Sequence, residues 1–98
     1  MNAQEENIEP VVVPIDGVLD LHTFAPGDLK HLIHDYIDAC LDLDIYDLRI
    51  IHGKGKGVLR ARVRSLLNAD SRVQSVANAP GQAGGWGATQ VTLKRNIT

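Results

Sequence analysis

The stretch "DLRIIHGKGKGVLRARVRSLLN" fills residues 47–68 and decides how the rest of the chain is read. Asp47 to His52 is a short apolar-rich run of strand length. Gly53, Gly55 and Gly57 then alternate with Lys54 and Lys56. From about Val58 to Asn68 the period changes. Leu59, Val63, Leu66 and Leu67 recur at helical steps, while Arg60 and Arg64 share another face one turn apart. The order is thus strand, glycine loop, helix. Glycine adopts backbone angles closed to other residues and lets a ligand approach the main chain. The helix start beyond it offers unpaired N–H groups and partial positive charge. Bare amides, a helix start and two lysines make a phosphate cradle one reading of the loop. A turn that merely packs the helix on the strand is the other.

The pattern continues on both sides. Upstream, Leu29, Leu32, Ile33, Tyr36, Ile37, Cys40 and Leu41 predict an amphipathic helix from Asp28 to about Asp44, with Asp28 as a candidate cap. "VLDL" (Val18 to Leu21) predicts a short strand leading into His22. "PVVVPIDG" reads as extended, and its two prolines limit any strand there to a sheet edge. Downstream, "RVQSVANA" predicts a third strand, "PGQAGGWG" a loop and "ATQVTLK" a fourth strand. Residues 1–9 read as a disordered arm and 10–98 as a single domain. The predicted order is β-α-β-α-β-β. Two right-handed crossovers stepping the same way place both helices on one face of the sheet. The last strand follows a short loop and is expected to run antiparallel, so the sheet is mixed. The other face is left thinly covered, as a binding surface or partly solvated.

Composition narrows the function classes. The 98 residues are 44% hydrophobic, ordinary for a globular domain. No apolar run approaches the ~18 residues of a membrane span. The polar start "MNAQEENIEP" is expected to be neither a signal nor a transit peptide. The single cysteine, Cys40, excludes an intramolecular disulfide and sits on the apolar helix face; a reducing cytoplasm is the expected location. The net charge of -2 hides an uneven distribution. Of ten basic residues, six (Arg49, Lys54, Lys56, Arg60, Arg62 and Arg64) fall between 49 and 64 with no acid among them. Such a segment attracts a polyanion, or else forms a solvated helix face.

Several specific chemistries fail on motif grounds. A Walker A loop requires GxxxxGK[ST], which is absent, and a dinucleotide fingerprint requires GxGxxG where this chain has GxGxG; Asp70 is only a weak candidate for the acid that follows. No serine stands in a nucleophile elbow. His31 and His34 lie one turn apart, and no further ligand is spaced to join them around a metal. A nucleic-acid backbone suits the loop better, because repeated phosphates need repeated cations.

A second constellation is "LDLH". Asp20 and His22 stand two apart on a strand and so point the same way. His52 ends the second strand. If the two strands are parallel, Asp20, His22, His52 and the glycine loop share one sheet edge, where open α/β sheets place ligands. Imidazole exchanges protons near neutrality, and a carboxylate beside it orients the ring or helps hold a metal. Alternatively Asp20 and His22 only bond neighbouring turns. Trp86 in the late loop is placed either to stack on a base or to cover the sheet.

"LDLHTF", "IIHGKGKGVLR" and "GGWGATQVTLK", in this order and at these distances, resemble the Smr (small MutS-related) domain over roughly residues 16–94. The family's signatures are an LDLHG-like strand end, an HGxGxG-like loop followed by LR, and a late glycine pair before the last strand. Thr23 departs from them, standing where the family has glycine. The resemblance implies a two-layer α/β sandwich like the C-terminal domain of translation initiation factor three, with the last strand inserted between the second and third. It implies an endonuclease that nicks or cleaves RNA or DNA, in DNA repair or recombination or in messenger RNA cleavage at stalled ribosomes. Asp20 and His22 match its catalytic DxH, and His52, Gly53, Gly55 and Gly57 its substrate-contacting loop; Asp20, His22 and His52 are the expected catalytic residues, with His52 assisting. Lys54, Lys56, Arg60, Arg64 and Trp86 complete the expected nucleic-acid surface. A divalent cation, magnesium or manganese, is the one candidate cofactor, and the ribosome a candidate partner. The alternatives are a non-catalytic nucleic-acid or ribosome binding module and a small-molecule phosphate binder.

Overall fold

Four strands form one mixed sheet in the computed structural model, which describes residues 14–21, 28–55, 57–83 and 85–95. The expected arm at residues 1–9 lies outside the described residues. In chain order the elements are β1 (Val18–Asp20), α1 (Leu29–Asp42), β2 (Asp47–Ile51), α2 (Val58–Asn68), β3 (Val73–Asn78) and β4 (Ala88–Leu93). Two 3₁₀ turns, Gly81–Ala83 and Gly85–Gly87, bridge β3 to β4. The strand order is β1-β2-β4-β3. β1 and β2 are parallel, and β4 runs antiparallel to both of its neighbours. The last strand therefore lies between the second and the third.

Periodicity explains which residues leave water. On α1, Leu29, Ile33, Tyr36, Ile37 and Cys40 are buried, and on α2, Val63 and Leu67. They form one cluster with Leu19, Leu48, Ile50, Val91 and Leu93 of the sheet. Both helices therefore cover the same face. Each fully buried leucine or isoleucine contributes about 1.5–3 kcal/mol. No helix among the described residues covers the other face, where Val18, Arg49, Ile51 and Gln90 are half-buried. Among the described residues, no helix is long and apolar enough to cross a membrane.

The element boundaries differ from expectation at a few points. α1 stops at Asp42 rather than near Asp44, because Asp44 takes a positive φ of 58° and turns the chain out of the helix. The Asp44 N–H then donates to Leu41 O and the Ile45 N–H to Cys40 O, at 3.1 and 2.8 Å, satisfying the last carbonyls. Asp28 occupies the cap position of α1 but makes no side-chain capping bond; its carboxylate instead accepts from His31 Nδ1 at 2.9 Å. Residues 14–17 of "PVVVPIDG" lie outside the sheet. Gly17 enters β1 at φ 91°, and a Cβ there would stand 3.0 Å from Asp47 O. Its N–H donates to the buried Tyr36 hydroxyl at 3.0 Å, which ties the strand entrance to α1.

Candidate functional site

Parallel pairing aligns the ends of β1 and β2. Asp20 pairs with Ile51, and the Leu21 N–H donates to Ile51 O at 2.7 Å. The end of β1 and the start of the glycine loop therefore share one sheet edge. Alternation separates their side chains, however. Leu19 and Ile50 face the helices, so Asp20 emerges on the helix-free side. His52 emerges on the helix side, where Thr89 meets it. Asp20 and His52 thus flank the edge from opposite faces. His22, Thr23 and Lys56 lie outside the described residues.

The glycine loop is held by the loop that precedes β4. The N–H groups of His52 and Gly53 both donate to Gly87 O, at 3.0 and 2.9 Å. The backbone of Trp86 lies in the turn leading to that carbonyl. Gly87 is itself buried, and a Cβ on it would meet Lys54 Cγ at 3.2 Å. A side chain there would press on Lys54, which would have to give by a few tenths of an ångström. Gly53 and Gly57 have φ of 82° and 84°, in the left-handed region where a Cβ collides with its own carbonyl. Gly57 also occupies the cap position of α2, and no side chain caps that helix start among the described residues. Lys54 is exposed beside it. The Gly53 amide is thus already spent on Gly87, and any anion cradle lies farther along, from Lys54 to the first turn of α2.

His52 is 6% exposed, and both of its ring nitrogens are engaged. Nδ1 lies 3.0 Å from Gly53 O, which only accepts, so Nδ1 carries the proton. Nε2 lies 2.9 Å from Thr89 Oγ1 and in the neutral ring accepts from that hydroxyl. Burial lowers the His52 pKa; the Gly53 carbonyl opposes this, and the Arg60 and Arg64 charges add to it. The ring thereby ties the start of the glycine loop to β4.

Arg60 and Arg64 are half-buried on α2 and converge on one atom. The Nη2 groups of both donate to Asn78 Oδ1, at 2.7 and 2.6 Å. Burial, then the neighbouring Arg60 charge, lowers the Arg64 pKa. Asn78 ends β3 and pairs with Thr89. His52, Thr89, Asn78 and the two arginines thus line one end of the helix-covered face. Sequence reading missed Thr89 and Asn78. Each looks like an ordinary polar residue in a strand, and only the register shows what it touches.

Other polar clusters lie elsewhere. Asp70 pairs with Arg72 at 2.8 Å, and Arg72 also pairs with Asp38 on α1. The hydrogen bond from Arg72 is the main reason the Asp70 pKa is lowered. Asp70 is therefore committed to a structural ion pair away from the glycine loop. On the exposed face of α1, His34, Asp35 and Asp38 bring ligand atoms within 4.8 Å of one another, a grouping that sequence reading did not find.

The fold and site define an α/β domain whose glycine loop opens a helix at a strand's carboxyl end. The Smr domain model matches residues 19–94, and the chain belongs to that family. It is 44% identical over 80 residues to endonuclease MutS2 from Finegoldia magna, covering 82% of this chain and 10% of that protein. The chain thus spans about a tenth of the length of the curated relatives it matches. Among solved structures, the Smr domain of Thermus thermophilus MutS2 aligns with TM-score 0.74 and 34% identity, over 82% of this chain and all of that one. YdaL, a stand-alone small MutS-related protein from Escherichia coli, aligns with TM-score 0.76 and 26% identity, over 84% of this chain and 67% of its own.

Proposed function

We propose that this domain grips the phosphate backbone of RNA or DNA across the sheet edge and cleaves a phosphodiester bond there. The observation that supports the reading is the parallel pairing of Asp20 with Ile51, which brings the end of β1 beside the start of the glycine loop. Asp20 and His22 do the proton and orientation work: a proton is taken from the attacking oxygen (the RNA 2′-hydroxyl or a water) as it bonds to phosphorus. The opposite P–O bond breaks, with its leaving oxygen taking up a proton from the same pair or from solvent. His52 acts by positioning, since its nitrogens hold Gly53 and Thr89. Lys54, Lys56, Arg60, Arg64 and the amides at the start of α2 hold phosphate oxygens. Similarity to endonuclease MutS2 Smr domains supports the nuclease class. Among the described residues, no group of three metal-ligating side chains includes Asp20. A divalent cation would therefore draw its remaining ligands from substrate phosphate, water or His22.

The test is incubation of purified protein with end-labelled structured RNA and with duplex DNA, with and without chelator, beside His22→Ala. Wild type is expected to cut, and the variant to lose roughly 100-fold or more in rate. Equal rates would refute the role of His22. Retention of nucleic acid by the wild type without products would make the domain a binding module. Cuts in chelator that leave cyclic-phosphate ends would assign metal-free attack by the 2′-hydroxyl.

A further inference from the structure

One polar residue outside the glycine loop and the DxH segment has an unusual pair of partners. Asn78 Oδ1 accepts from Arg60 and from Arg64, at 2.7 and 2.6 Å. Both partners are pure donors, so the amide must turn its oxygen toward them. The two arginines are four residues apart on α2, in the turns directly after the glycine loop. Two guanidiniums on one acceptor repel each other, and a carboxylate would answer that repulsion far better than an amide. Charge-assisted bonds are about twice as strong as neutral ones. An amide orients the pair without bringing a negative charge of its own. The position also belongs to the site: Asn78 pairs with Thr89, whose hydroxyl bonds His52.

We infer that Asn78 is a positioning residue for substrate, holding Arg60 and Arg64 as a phosphodiester-binding fork beside the glycine loop. This rests on the nucleic-acid reading above and deepens it: Asn78 sets the geometry of two arginines that the reading already places on phosphate. The fork projects from the first turns of α2, so a strand gripped by the loop amides meets it at a neighbouring phosphate. Neutrality at position 78 is the functional requirement. Asp would keep the geometry and cancel one of the two charges, whereas Ala would keep both charges and release the geometry.

The two substitutions separate this role from a structural one. Affinity for a fluorescein-labelled RNA hairpin and for a DNA duplex is measured across a salt series for wild type, Asn78→Asp and Asn78→Ala, with melting temperatures alongside. Asn78→Asp is expected to melt at or above the wild-type temperature. It should nonetheless bind about five- to eightfold more weakly at 0.1 M salt, with the slope of log affinity against log salt shallower by roughly 0.7–0.9, the value of one phosphate contact. Asn78→Ala should melt lower, keep the wild-type slope and bind with intermediate affinity. The order of the two variants thus reverses between stability and binding. If Asn78 only props the helix, Asp serves as well as Asn, and Asn78→Asp binds like wild type or better than Asn78→Ala; that result overturns the inference while the nucleic-acid reading stands. Failure of the wild type to retain either probe overturns both together.

Discussion

Replacing Thr89 by Val removes one hydroxyl from the interior and little else. Thr89 is fully buried, and its hydroxyl lies 2.9 Å from His52 Nε2. His52 is 6% exposed, so water does not readily take the place of the lost donor. The ring cannot turn to another partner either, because Nδ1 is committed to Gly53 O. A buried acceptor left unmatched costs about 1–3 kcal/mol. For a domain near 100 residues this lowers the melting temperature by roughly 5–15 °C. Chemical denaturation and thermal melting at pH 7.5 read the loss directly. The same ring gives a pH signature. The His52 pKa is lowered in the folded state, first by burial. The unfolded chain therefore binds more protons than the folded one below about pH 6.5. The stability contributed by the neutral ring is fully present above pH 6.5 and is lost as pH falls through the folded value. The slope is at most about 1.4 kcal/mol per pH unit. His52→Gln should flatten that limb. A Thr89→Val protein within ~0.5 kcal/mol of wild type would refute the premise that Thr89 satisfies a buried imidazole.

Two further outcomes follow from the loop and from the ion pair. Gly57→Ala meets open space but is forced into φ 84°, so pure backbone strain of about 1–2 kcal/mol should appear in denaturation, with weaker nucleic-acid binding as the start of α2 shifts. Arg72→Met should remove the main cause of the lowered Asp70 pKa. In wild type the stability from ionised Asp70 is present above its unfolded pKa of ~3.9 and is lost as pH falls through the lower folded value; acid unfolding of the variant should lack that limb, and an unchanged acid profile would show that the pair contributes nothing.

Local pattern determined more of this domain than of its site. The 3.6-residue period of Leu29, Ile33, Ile37 and Cys40, and of Val63 and Leu67, specified two helices whose apolar faces had to share a core. The glycines at 53 and 57 marked a backbone that other residues adopt only with strain, and both are left-handed in the structure. Three ordered motifs, "LDLHTF", "IIHGKGKGVLR" and "GGWGATQVTLK", carry the family in the sequence itself. These features are legible because each arises from residues close in sequence. Thr89 and Asn78 were not legible, because their partners lie 37 and 18 or 14 residues away and depend on strand register. Sequence spacing also brought Asp20 and His52 to one edge without separating them. Only the pairing of Asp20 with Ile51 shows that they leave the sheet on opposite faces. The partners of His52 were equally hidden: its nitrogens meet Gly53 O and Thr89 Oγ1, and only the fold brings Thr89 there. An imidazole's type announces the proton chemistry it could do; the tertiary contacts at its two nitrogens decide whether it is available to do it.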